Sequence, residues 1–402
     1  MTRRRCYGGS GISRNPFGGL RVGGSQRTDE TSQIKSLEGF IMYNIATVSP
    51  RGAATIIETL ALIPKAKPIF LWGAFGVGKS AIVRQAVAAL SDHTGEQWGF
   101  IDVRASQLQS VDTRGLPDVQ DGLTVWRIPS FLPREGHCER RGVFFLDELC
   151  LGDESVQAAL YQLLNERELG DYRFPDGWII LAASNRPEDN AGVRGRQDAA
   201  LMTRFQTHLN VVPDVNEWIE YAQGAGISPY ITGLIKLRGN PVYKGNGEIE
   251  TAGLLHEYPN GGCPKGHIAV ATPRTWEAAS TIIEAGLPEH LEQAALQGCI
   301  GAGASAELAG FLRIGRHIPN LNEIFTDPLN ASVPSNISAQ YATAVALSRH
   351  CSHGNIAEAA QYLGRIDDEL VALFFQSAVA RDDNLSHTSA YLNHKINCGV
   401  AA

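Results

Sequence analysis

Cysteine is sparse and shows no pairing pattern. Cys6, Cys138, Cys150, Cys263, Cys299, Cys351 and Cys398 are odd in number and scattered, and no C-x-x-C pair occurs. This argues against a disulfide framework and offers no zinc-ligand spacing; a reducing, cytosolic setting is the simplest expectation. No apolar run approaches the ~20 residues of a membrane-spanning helix, and no secretory signal is legible. No repeat of solenoid period is present. Basic charge is also short. The net charge is −7, and Arg3, Arg4, Arg5, Arg14, Arg21, Arg27 and Lys35 crowd residues 1–41 against only Asp29, Glu30 and Glu38. The rest of the chain is therefore more acidic still, which argues against broad binding to a nucleic-acid backbone.

What is present is the composition of a globular protein, 44% hydrophobic and 19% charged over 402 residues, a length that suggests two or three domains. Residues 1–41 are rich in Gly, Arg and Ser and cannot bury a core, so they are expected to be disordered. They read as an unstructured tail, a basic arm for a nucleic acid or acidic partner, or a segment upstream of a start at Met42. Residues 42–213 alternate strand and helix signals and predict an α/β domain with a mostly parallel sheet. Its five strands are expected near 68–72, 99–103, 143–147, 178–184 and 206–211, with a helix from Ser49-Pro50 to Ile63 and short hairpins at 116–128 and 168–178. From about Asp214 strand signals fade. Residues 214–317 predict a helical domain, with helices at 217–237, 275–285 and 291–314 and a Gly/Asn/Pro-rich loop at 240–272. Residues 318–402 predict a further helical region, with helices near 339–351, 356–363 and 367–381.

One run carries most of the chemistry. Gly73-Ala74-Phe75-Gly76-Val77-Gly78-Lys79-Ser80 fits G-x-x-x-x-G-K-[ST], the phosphate-binding loop of nucleotide triphosphatases. The apolar stretch 68–72 before it reads as a buried strand, and Ile82, Val83, Ala86 and Leu90 after it mark one helix face. Backbone N–H groups from Gly73, Ala74, Gly76, Val77, Gly78, Lys79, Ser80 and Ala81 are thus candidates to cradle phosphates at a helix N-terminus. Lys79 would reach the β- and γ-phosphates, and the Ser80 hydroxyl would ligate Mg²⁺.

A second apolar strand, Val143-Phe144-Phe145-Leu146, ends in Asp147-Glu148. Asp147 can hold the hydration shell of Mg²⁺ and Glu148 can polarise a water for attack on a γ-phosphate. Asp153 is a candidate N-cap of the helix that follows. A third strand, 178–184, ends at Asn185, whose amide can bond the attacking water or the γ-phosphate.

In this order, these pieces resemble the AAA+ ATPases. Asp198-Ala199-Ala200-Leu201-Met202-Thr203-Arg204-Phe205 resembles the segment that carries the AAA+ arginine finger, and Thr272-Pro273-Arg274-Thr275 resembles the sensor-2 motif of the lid. Within that group, Phe144 to Glu148 followed by Ser155-Val156-Gln157-Ala158-Ala159-Leu160 is most similar to the MoxR-like ATPases. The two hairpins resemble their helix-2 insert and pre-sensor-1 hairpin. The resemblance covers about residues 45–300. It implies a P-loop α/β domain with a helical lid at 214–317, ATP and Mg²⁺ as cofactors, and hydrolysis with Glu148, Asn185, Arg204 and Arg274 as catalytic residues. It also implies a homo-oligomeric ring of six, with Arg204 reaching the neighbour's nucleotide; Arg194 and Arg196 are rival fingers. The implied role is a remodelling or maturation chaperone for a protein substrate, including a partner with a von Willebrand factor A domain. A DNA-linked motor and a nucleotide-regulated module without turnover are the alternatives. Two metal readings, His350-Cys351-Ser352-His353 and His256, Cys263 and His267, lack partners or have loose spacing. Trp126 reads as a partner contact or as hairpin packing.

Overall fold

The computed structural model describes residues 45–189, 199–240, 242–243, 249–251, 253–259, 263–264, 266–316 and 321–398. The tail 1–41, Met42 and both rival fingers, Arg194 and Arg196, lie outside them. The first strand is β1 (Thr47–Val48), followed by helix α1 (Pro50–Ala61), with Pro at its first position. Ser49 is its N-cap and accepts from the Gly52 N–H, meeting a donor that the first helical turn cannot satisfy itself. Strand β2 (Ile69–Gly73) and helix α2 (Lys79–Thr94) then flank the glycine-rich loop.

The chain continues through β3 (Trp98–Arg104), a short helix α3 (Ser110–Arg114) and the hairpin β4 (Leu116–Gln120) and β5 (Leu123–Arg127). Next come β6 (Arg141–Asp147), α4 (Glu154–Glu166), the two-residue strands β7 (Glu168–Leu169) and β8 (Tyr172–Arg173), β9 (Trp178–Ser184), the single turn α5 (Ala199–Met202) and β10 (Thr207–Val211). The sheet is parallel in the order β1-β10-β2-β9-β6-β3. It therefore has six strands where the sequence predicts five. The sixth, β1, pairs Thr47 with Asn210 and Val48 with Val211 and is too short to carry a hydrophobic alternation. The strand that precedes the glycine loop lies inside the sheet, so the loop emerges at the carboxyl ends of the strands, where open α/β sheets bind ligands.

Alternate residues of the strands face opposite layers. Ile69, Leu71, Val143, Phe145, Ile179 and Leu181 pack in one buried cluster with Ile57 of α1 and Ile82, Val83 and Leu90 of α2. On the other face Phe70 stacks on Trp72 and meets the Phe205 edge, and Phe144 meets Phe174. This anchoring holds the loop and the ends of β6 and β9 on a rigid base. Asp153 occupies the N-cap position of α4 as expected, though its side chain makes no cap bond.

The helical part begins with α6 (Val215–Gly224) and α7 (Pro229–Arg238), followed by the long insert and α8 (Pro273–Glu284), α9 (Glu289–Ile300) and α10 (Ala302–Arg316). Two single helices expected from the pattern are each two. The run 217–237 breaks at Gly226, whose φ is 72°, and 291–314 breaks at Gly301, with φ 83°. The apolar period runs through both breaks because the paired helices bury their faces in one cluster. The helices α11 (Leu321–Thr326), α12 (Ile337–His350), α13 (Ile356–Gly364), α14 (Asp368–Arg381) and α15 (Ser389–Asn397) follow. Their buried residues Val345, Tyr362 and Phe374 belong to the same cluster as Trp218, Trp276 and Phe311. No described helix is long and apolar enough to cross a membrane.

Candidate nucleotide site

The loop between β2 and α2 turns on two glycines in the left-handed region, Gly76 (φ 74°) and Gly78 (φ 97°), a conformation that costs other residues energy. Lys79, the first residue of α2, is buried. Its Nζ donates to the carbonyls of Gly73 (2.8 Å) and Ala74 (3.1 Å) and to Asn185 Oδ1 (2.8 Å). All three partners are neutral oxygens. Burial pulls the ammonium down to about 8, with Asp147 and Asp189 opposing the fall. A buried cation hydrogen-bonded only to neutral oxygens is poised to take an anion.

The Ser80 hydroxyl donates to Asp147 Oδ2 at 2.7 Å. The two oxygens that the sequence assigns to Mg²⁺ therefore converge. One hydroxyl and one carboxylate are a fitting protein share for a cation that takes its remaining ligands from phosphates and water. Asp147 Oδ1 accepts from the Glu148 N–H at 2.9 Å, so the carboxylate also shapes the turn at the end of β6. Glu148 sits there at φ 57°, an uncommon conformation for a residue with a Cβ. Its Oε2 accepts from the Ser106 hydroxyl at 2.5 Å. Ser106 lies two residues beyond the end of β3, the strand paired with β6.

Asn185 follows β9 and is brought to Lys79 by the order of the sheet. The next residue forms a buried pair. Arg186 and Asp189 are 3% and 2% exposed, with Nη2 to Oδ1 at 2.7 Å and Nε to Oδ2 at 3.2 Å. Asp189 Oδ2 also accepts from the Arg186 N–H at 2.8 Å. Arg186 Nη2 reaches on to the Pro259 carbonyl at 2.7 Å. The tight turn after Asn185 is thus locked by a charged, bidentate contact.

Arg274 stands in the first turn of α8, whose N-cap Thr272 accepts from the Thr275 N–H. It lines a cavity of about 500 Å³ with Gly78, Ile82, Trp218, Tyr221 and Glu277, within the size range of small-ligand pockets. A further tie closes this cavity at its other wall. Glu217 accepts from the Ser49 hydroxyl at 2.6 Å and from the Arg51 N–H at 2.8 Å, joining α6 to the first turn of α1.

Arg204 is apart from this group. Its guanidinium lies over the Tyr161 ring, 4.5 Å from the centroid, and donates to the Ala200 carbonyl. The structure thus gathers Lys79, Ser80, Asp147, Glu148, Asn185 and Arg274 around one loop and leaves Arg204 outside it. Neither metal reading gains support. Among the described residues no three His, Cys, Asp or Glu side chains converge, and both ring nitrogens of His256 are spent on Phe75 and Tyr258. Trp126 is 46% exposed on the hairpin face it shares with Val119. Ser106 and the role of His256 are not readable from the sequence, since each acts through a residue distant in the chain, and no pattern marks the buried Arg186–Asp189 pair, local though it is.

Residues 68–205 match the family model described as AAA domain (dynein-related subfamily). No curated protein matches the chain. Solved structures similar to it include a mutant of RuvB from Thermotoga maritima (14% identity, 65% of this chain and 67% of that one, TM-score 0.34). Others are NtrX from Brucella abortus in complex with ADP (15%, 93% and 73%, 0.36) and the Hsp104–ADP complex of S. cerevisiae (14%, 46% and 36%, 0.30). Residues 68–205 form an AAA domain of the AAA+ P-loop α/β fold, and a helical region follows it.

Proposed function

We propose that the chain hydrolyses ATP and works as a ring that remodels a protein partner. The observation that carries the reading is the convergence of Lys79, Ser80, Asp147, Glu148 and Asn185 at the carboxyl ends of three neighbouring strands. Lys79 would bind the β- and γ-phosphates, exchanging neutral acceptors for anionic ones. Ser80 and Asp147 would hold Mg²⁺, which when bound offsets the phosphate charge. Glu148 would accept the proton of a water whose oxygen bonds to the γ-phosphorus as the bond to the β–γ bridging oxygen breaks. Asn185 would orient that water or the γ-phosphate. Arg274 would contact the phosphate from the lid side.

The position of Arg204 supports the ring. The transition state spreads negative charge over the γ-phosphate, and a cation supplied in trans is worth about 10³–10⁵ in rate. Arg204 is packed on Tyr161, outside its own site, which suits a residue that serves a neighbouring subunit. A ring of six and a chaperone role follow from the MoxR-like resemblance. The implied partner with a von Willebrand factor A domain has no support in the comparisons and is not part of the proposal.

The test is ATP turnover by the purified chain with Mg²⁺, alongside sizing in nucleotide. Glu148→Gln is expected to bind ATP without hydrolysing it. An assembled wild-type chain without ATPase activity would end the motor reading and leave a nucleotide-binding module. Stimulation of turnover by DNA would favour a DNA-linked motor instead.

A further inference from the structure

The long insert between α7 and α8, and the N-terminus of α8 that ends it, reach the phosphate loop at two places. At the first, His256 is 3% exposed, and its Nε2 lies 2.9 Å from the Phe75 carbonyl. Its Nδ1 accepts from the Tyr258 N–H at 3.1 Å, so Nδ1 is bare and Nε2 carries the proton that Phe75 receives. Burial holds the imidazole below its ordinary value, which favours the neutral ring, and the two contacts fix its tautomer. The ring also lies against that of Phe75, with centroids 5.7 Å apart. At the second place, the Arg274 N–H donates to the Gly76 carbonyl at 3.4 Å. Thr272 packs so closely that a Cβ on Gly76 would stand 2.6 Å from its Oγ1.

Two consecutive peptide planes of the loop are therefore held by their carbonyl edges. No described peptide bond is cis, and a planar trans peptide points its N–H opposite to its C=O. Fixing the Phe75 carbonyl thus aims the Gly76 N–H, and fixing the Gly76 carbonyl aims the Val77 N–H. These amides belong to the set a phosphate loop uses as donors. A third tie runs from the insert to the far wall of the site, where Arg186 Nη2 meets the Pro259 carbonyl.

We propose that His256 is a positioning residue that sets the phosphate-binding amides of Gly76 and Val77, and that the insert is fastened through it to the nucleotide site. The proposal rests on the nucleotide-binding reading above. It makes affinity for nucleotide, rather than the chemical step, the quantity that His256 controls.

The test uses the full chain, with a fluorescent ADP analogue for binding and steady-state ATPase kinetics. His256→Phe keeps a ring against Phe75 and deletes the donor; His256→Gln restores an N–H donor. His256→Phe is expected to raise Kd and KM about tenfold, the loss of one well-made hydrogen bond, with kcat within about twofold. His256→Gln is expected to recover most of the affinity. Wild-type Kd in His256→Phe, or a fall in kcat alone, would overturn the proposal. If His256→Phe does not fold, hydrogen exchange of the wild-type chain decides: the amides of 256–258 must slow when ADP is added, and unchanged rates overturn it. A wild-type chain that binds no ADP would overturn the nucleotide reading itself; normal binding by wild type and His256→Phe alike would overturn the proposal alone.

Discussion

The Ser106 hydroxyl donates to the Glu148 carboxylate at 2.5 Å across the paired ends of β3 and β6. The group assigned to water activation is thus engaged by a neighbouring strand end. A hydrogen bond to a charged group is worth about 1.5–3 kcal/mol, enough to bias the carboxylate toward this pose by roughly tenfold or more. Ser106→Ala should therefore raise basal ATP turnover, by up to about tenfold, with nucleotide affinity unchanged. Turnover that stays level or falls would show that Ser106 holds Glu148 in a productive pose instead.

Lys79 is buried among neutral acceptors and lowered to about 8. Between about 8 and its unfolded value of 10.5 the unfolded chain binds more protons, so empty-protein stability rises with pH across that window. Lys79→Met should abolish this rise and leave the nucleotide-free chain at least as stable as wild type. It should also abolish stabilisation by ADP, which for wild type at 100 times Kd is about 2.7 kcal/mol. Thermal unfolding at pH 7.5 and 9.5, with and without ADP, reads both effects. An ADP-dependent shift that persists in Lys79→Met would remove Lys79 from the site.

The sequence made the site's own residues legible because each is local to a pattern. Gly73 to Ser80 lies between a strand and a helix, and Asp147-Glu148 and Asn185 end apolar strands. Their spatial meeting follows from strand order, which periodicity does not encode. The hidden residues act across the chain. Ser106 lies 42 residues from Glu148 and His256 lies 181 from Phe75, and neither stands in a pattern that marks its contact. The Gly/Asn/Pro-rich composition of 240–272 predicts a loop, and composition is silent on where a loop docks. The helix breaks at Gly226 and Gly301 were visible only as glycines, because the apolar period continues across them.

His208 links β10 to β2. The Trp72 indole N–H donates to its Nδ1 at 3.1 Å, and Nε2 meets the Met202 carbonyl at 3.0 Å. Burial lowers its value below 6.5, and protonation would place a second donor against the Trp72 N–H. The folded state then binds the proton less readily than the unfolded chain. This contribution to stability is full above about pH 6.5 and is lost as pH falls through the lower folded value. Wild type should lose Tm between pH 7.5 and 5.5 through this group. His208→Asn, which keeps an acceptor near Nδ1 and cannot titrate in this range, should lose less over the same interval. An equal loss in both proteins would assign the pH effect to other histidines.

Arg204 offers the sharpest test of a shared site, because its defect should be repaired by a neighbour. The residue lies over Tyr161 and away from its own phosphate loop, so Arg204→Ala should bind nucleotide as wild type does. In an assembly made only of this variant, turnover should fall about 10³-fold or more, the scale of a finger supplied in trans. Glu148→Gln should be equally inactive, since each of its sites lacks the base. Mixed assemblies differ. A site with Glu148 intact in an Arg204→Ala subunit can receive Arg204 from an adjacent Glu148→Gln subunit. In a random equimolar mixture about a quarter of the interfaces meet both conditions, so turnover should return to a sizeable fraction of wild type. Mixing the two inactive proteins, allowing subunit exchange and measuring phosphate release gives the answer. A mixture that stays inactive, despite exchange shown by a fluorescent label, would place the action of Arg204 within its own subunit and remove the argument for a ring.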